Sequence, residues 1–129
     1  MLSVRLFLIA QILILAGFGL AYFVRPQETA NLSGMLLMAP AALTDVRAYY
    51  GGLQLGLAAW LGLALLRGDL LRPALMLLVL LYSALFLARL GGLWLDGGAQ
   101  QTFNLYAMLF EGVSAALAFW LLRGRSAAA

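Results

Sequence analysis

The chain has 129 residues, 65% of them hydrophobic and 10% charged, and a mean hydropathy of +1.00. A soluble domain of this length needs far more polar surface, so composition places the chain in the membrane class as a single domain, 1–129. With neither cysteine nor histidine present, disulfides, thiolate or imidazole metal sites, bis-histidine haem and histidine acid–base catalysis are excluded, and no cofactor is expected. The net charge of +3 is carried by arginine without lysine. No basic cluster with interleaved aromatics occurs, which argues against nucleic acid as a partner and for juxtamembrane charge.

A helix crossing ~30 Å of hydrocarbon needs about 20 apolar residues. Four runs meet that demand, at about 4–24, 45–66, 73–95 and 103–122. The first stops at "RPQ", where Pro26 ends it. It outlasts the apolar core of a signal peptide and lacks a small-x-small cleavage site, so a retained helix is expected. The second stops at "RGD", and the third opens with Pro73 in its first turn and stops before "DGGAQQ". Short connections at Gly68 and Gly97 make neighbours antiparallel. The expected fold is all-α, an up-down-up-down bundle of four transmembrane helices. The long connection "RPQETANLSGMLLMAPAAL" holds "LSGMLLM", too short to span, which is expected at the interface or folded over the bundle. Asp45 is placed as a cap of the second helix.

Arginine placement orients the bundle. Arg5, Arg67, Arg72, Arg123 and Arg125 share one side with Asp69, whereas Arg25 and Arg47 share the other with Glu28, Asp45 and Asp96. The positive-inside rule then puts both termini in the cytoplasm of a multi-pass inner-membrane protein. Tyr22, Tyr49, Tyr50 and Trp94 fit an outer aromatic belt, and Trp60 and Trp120 the inner half.

A repeat runs through the second and fourth spans. "YGGLQLGLAAW" at 50–60 aligns without gaps on "FEGVSAALAFW" at 110–120, and both segments end in "LLRG". The pattern resembles a duplicated hairpin and sets Glu111 against the position of Gly51.

Charge inside a membrane is costly, at least ~2.5–3.5 kcal/mol at the bilayer centre, so buried ionisable groups pair or mark a site. Arg89 lies about 24 Å up the third helix from Pro73, and Glu111 about 12 Å below the start of the fourth. With Arg47, all are expected in the outer half. Arg47, Tyr50, Gly51 and Gln54 form one stripe, Tyr82, Phe86 and Arg89 a second, and Asn104, Ala107, Glu111, Ser114 and Ala118 a third. Three stripes predict one polar interior, with Glu111 as carboxylate partner of Arg89 or Arg47. Gly51 is expected to leave space beside the arginine. Gly52 and Gly56 make a small-xxx-small ridge for another helix, in the bundle or from a second copy. Asp96 with Gly97 reads as a turn or as part of the site.

"RAYYGGLQLG" at 47–56, "ARLGGLWLDG" at 88–97 and the glutamate of the last helix resemble the domain of unknown function 4345 family, small bacterial four-helix membrane proteins. Arg47, Tyr50, Gly51 and Gly52 match its first element, Arg89, Asp96 and Gly97 the second, and Glu111 its acidic position. The resemblance implies the architecture, a bacterial inner membrane and a preferred set of positions, and carries no activity.

Two function classes are expected ahead of an enzyme. The first is a non-catalytic structural or accessory module in the lipid bilayer, as a homodimer or in a larger membrane complex, with the Arg/Glu cluster holding helices in register. The second is a transporter or binder of a lipid head group or small amphipathic ligand, using the same cluster. Small four-helix exporters carry their key glutamate in the first helix, where this chain offers only Gln11. An enzyme is least expected, because the single deep carboxylate lacks an evident acid–base partner.

Overall fold

The computed structural model describes residues 2–98 and 101–128, with side-chain surroundings as far as residue 124. Arg125, counted in the cytoplasmic excess, and part of the "DGGAQQ" turn fall outside the side chains described. The described residues are helical, with no strand: α1 (Leu2–Val24), α2 (Pro26–Asn31), α3 (Pro40–Val46), a π-helical segment (Arg47–Gly52), α4 (Leu53–Leu66), a 3₁₀ turn (Gly68–Leu70), α5 (Leu71–Asp96) and α6 (Thr102–Ala128). The segment from Pro40 to Leu66 is continuous, and with α1, α5 and α6 it makes four helices long and apolar enough to cross a membrane. Only 22–28% of each apolar window is buried. Leu80, Trp94, Leu95, Leu13 and Trp120 stand exposed. An apolar surface of that extent suits acyl chains rather than water.

The second span begins earlier than the sequence pattern indicates. Ala39 is the N-cap residue, in extended backbone, and Pro40 occupies the first turn, where its missing N–H costs nothing. Asp45 therefore lies inside α3 and does not cap it. Around "LSGMLLM" the chain makes a turn with Gly34 at φ 86° and then runs without regular structure. Gln27 Oε1 accepts the Leu37 N–H at 3.3 Å, which ties this stretch back to α2.

The chain divides into two compact units, Met1–Leu70 and Leu71–Ala129. In the first, α1 packs antiparallel on the second span. Arg5 Nη1 donates to the Leu65 carbonyl at 2.9 Å, at one end of the pair. Arg47 Nη1 donates to the Phe23 carbonyl at the other. Both bonds satisfy carbonyls of a helix's last turn, which have no partner in their own helix. The axes come close at two glycines: a Cβ on Gly19 would sit 3.0 Å from the Gly51 carbonyl, and one on Gly51 would sit 3.1 Å from the Phe23 backbone nitrogen. In the second unit α5 and α6 form a hairpin. Gly97, at φ 86°, ends α5, and such left-handed backbone favours glycine after a helix. Phe86 fills the space beside Gly112.

The two units repeat each other at a spacing of 60 positions. Tyr22 lies against Tyr50 with ring centroids 5.2 Å apart, and Tyr82 meets Phe110 edge-on at 5.5 Å. Leu15 and Leu75 are buried, as are Ala58 and Ala118, and Gly51 and Glu111. The register read from residues 50–60 and 110–120 thus extends to α1 and α5. The equivalence breaks where Pro26 stops α1, because Phe86 in the same place lets α5 continue.

Candidate functional site: a buried polar chain in the second hairpin

Most of α5 and α6 is apolar, so the few polar side chains on their facing sides have little choice of partner. Arg89, on α5, donates through Nε to Glu111 Oε1 on α6 at 2.8 Å. Its Nη1 donates to Asn104 Oδ1 at 2.5 Å. Asn104 Nδ2 in turn donates to Gln101 Oε1 at 2.5 Å, and Gln101 Nε2 to the Gly97 carbonyl at 3.0 Å. A continuous chain of hydrogen bonds therefore leads from the interhelical turn down to the carboxylate.

Burial deepens along it. The Arg89 side chain is 29% exposed and that of Glu111 only 5%. Phe103 underlies the guanidinium, 5.9 Å from ring centroid to Cζ, a distance at which the ring face attracts the cation. The buried Tyr82 phenol lies within electrostatic range of Glu111. Glu111 Oε1 is satisfied by Arg89, but Oε2 is buried with no hydrogen-bond partner among the described residues. A buried carboxylate oxygen without a donor forfeits an interaction that charged groups ordinarily make.

The other expected site residues have different surroundings. Arg47 bonds the Phe23 carbonyl and stands over the Phe23 ring at 5.9 Å. Tyr50 packs on Tyr22, which is buried and so is not part of an aromatic belt. Gln54 Nε2 donates at 2.7 Å to the Tyr50 carbonyl, within its own helix. Gly51 does not open space beside an arginine. It is filled by the close approach of Gly19 and Phe23. The reason is the π-helical turn over Arg47–Gly52, whose wider winding shifts the face each residue presents relative to an α-helical stripe. Gly52 and Gly56 meet no side chain within 4 Å; the one atom that near is the Arg47 carbonyl oxygen, 3.7 Å from a Cβ on Gly52. The ridge therefore makes no close contact among the described residues, and close packing falls to Gly19, Gly51 and Gly112. Asp96 is the exposed last residue of α5 and makes the turn with Gly97. Glu28, counted among the charges of the outer side, pairs with Arg25 at 3.1 Å on the surface.

Sequence reading missed Gln101 and Phe103. An amide pair at i, i+3, Gln101 and Asn104, at the start of an apolar helix was the available signal. Gly19 offered none, since its partner lies 32 positions away.

No characterised protein and no solved structure matches the chain. One family model does, over residues 3–122, that of a domain of unknown function, DUF4345. It spans the four long helices, both elements that first suggested the likeness, and every member of the polar chain from Arg89 to Glu111. The protein therefore belongs to the DUF4345 family.

Proposed function

We propose that the protein is a non-catalytic integral-membrane module of a bacterial inner membrane, with both termini in the cytoplasm. In this reading the Arg89–Glu111–Asn104 cluster fixes α5 against α6 and gives the hairpin one defined register. The observation that supports it is the 2.8 Å ion pair between the two helices, close to the Tyr82–Phe110 contact. Apolar packing alone is tolerant of sliding, and a buried polar pair is a recognised way to specify register. The chain has neither histidine nor cysteine, and the buried carboxylate faces a guanidinium, a permanent cation rather than a proton acceptor. That arrangement favours a binding or structural role over acid–base turnover.

The test is cross-linking of the protein in native membranes. The accessory reading predicts a stable assembly, of its own copies or with one other membrane protein, in a fixed ratio. A protein that stays monomeric at every protein-to-lipid ratio and drives proton flux dependent on Glu111 would replace this reading with a transporter. A second reading, binding of a lipid head group or small amphipathic ligand, is favoured by the unpartnered Glu111 Oε2.

A further inference from the structure

The same polar cluster holds a feature that helix registration does not use. The first hairpin is built on the same plan, with an aromatic pair at 5.2 Å matching the one at 5.5 Å. Yet it has Gly51 where the second has Glu111, and so lacks the carboxylate of the charged Arg89–Glu111 set. A hairpin of this design therefore closes without the charged set. The second hairpin nevertheless carries a carboxylate 95% buried by its side chain, and one of its two oxygens has no donor.

We propose that this cluster is a binding site for the neutral head of an amphipathic molecule, a hydroxyl or amide that donates a hydrogen bond to Glu111 Oε2. Charge decides the class. Arg89 and Glu111 already cancel, so an added cation or anion would leave the apolar interior with an uncompensated charge, which is costly. A carboxylate oxygen only accepts, so the ligand must donate. Neutral O–H and N–H groups meet both conditions. The part-exposed Arg89 and Asn104, next to the turn at Gly97, mark the side from which such a head would enter. Phe103 lies under the Arg89 guanidinium and Phe86 beside Gly112, so the surroundings of the cluster are apolar. The inference rests on the non-catalytic reading of the cluster and adds a ligand to it.

The chain has two glutamates, Glu28 and Glu111. A Glu28→Gln variant labelled with ¹³C-glutamate therefore reports on Glu111 alone in infrared spectra. In phosphatidylcholine nanodiscs, a diacylglycerol bearing a free hydroxyl is compared with a triacylglycerol of the same chain length, which has none. The expected result is a saturable shift of the labelled carboxylate band with the diacylglycerol only. Binding of that lipid should weaken about ten-fold or more in Glu111→Gln, the effect of one lost hydrogen bond to a charged group. An unchanged band with the diacylglycerol would overturn the proposal, whether the spectrum reports a carboxylate held by water or a protonated acid. Equal shifts with both lipids would do the same. The spectroscopic arm uses the intact site, so it decides even if Glu111→Gln fails to fold. Failure here leaves the accessory reading standing, because cross-linking in native membranes does not depend on this ligand.

Discussion

Glu111 stands in the second hairpin where Gly51 stands in the first. Each is buried, and each directly follows the aromatic residue that packs across its hairpin, Phe110 and Tyr50. At Gly51 the place is filled by the backbone of α1, with the Gly19 carbonyl 3.2 Å from where a Cβ would lie. At Glu111 it holds a carboxylate and its arginine. One architecture thus meets the same location by close backbone contact in one copy and by a polar pair in the other. Substitutions at the two places should fail for different reasons.

In the polar copy the two partners are unequally buried. Arg89→Gln strands the Glu111 carboxylate in an apolar interior and should cost about 3 kcal/mol. Glu111→Gln frees a part-exposed arginine that can turn outward, so about 1–2 kcal/mol is expected. Thermal or denaturant unfolding in detergent measures both. A double-mutant cycle should return a coupling of at least ~1 kcal/mol, and additive effects would mean that the pair does not act as one unit.

In the glycine copy the limit is steric. Gly51→Ala or Gly19→Ala puts a methyl into backbone at 3.0–3.2 Å, and overpacking of that kind costs about 1–3 kcal/mol. Gly56→Ala meets open space and should be neutral or stabilising by up to about 1 kcal/mol, since alanine loses less entropy in a helix. Gly56→Leu leaves the fold intact. If this face packs on a second copy, it weakens self-association in cross-linking.

Asn104→Ala cuts the hydrogen-bond chain between Arg89 and Gln101. A loss near 1 kcal/mol is expected. Hydrogen exchange should quicken first in the opening turn of α6, at Leu105, whose amide bonds the Gln101 carbonyl at 3.0 Å. Protection unchanged there would show that the turn is held without the amide pair.

The absence of cysteine makes accessibility mapping direct. Gly68→Cys and Ser126→Cys should react with an impermeant maleimide only in inside-out vesicles. Ser33→Cys and Gly98→Cys should react only in right-side-out vesicles, as the arginine distribution requires. Labelling of Gly68→Cys and Gly98→Cys from one side would break the alternating order of spans.

The apolar runs were legible because hydropathy is a local property, and so were the stops at Arg25–Pro26, Arg67–Gly68 and Asp96–Gly97. Arg89 and Glu111 were legible as partners because a charge in an apolar helix has few alternatives. The π-helical turn at Arg47–Gly52 was not, because no local residue pattern marks it, and the contact it brings about, Gly51 against Gly19, lies across the hairpin. Reading that segment as an α-helix assigned Arg47, Tyr50 and Gln54 to a shared polar stripe. In the structure they serve the α1 carbonyl end, the Tyr22 ring and their own helix.

By itself the sequence determined an all-helical chain with four helices long and apolar enough to cross a membrane, and a family, because each follows from composition, run length and local motif. Which glycines touch, where the helix winds wider, and that Glu111 is left with one satisfied oxygen were decided only by tertiary packing. Those depend on distances between residues far apart in the chain, and no local pattern encodes them.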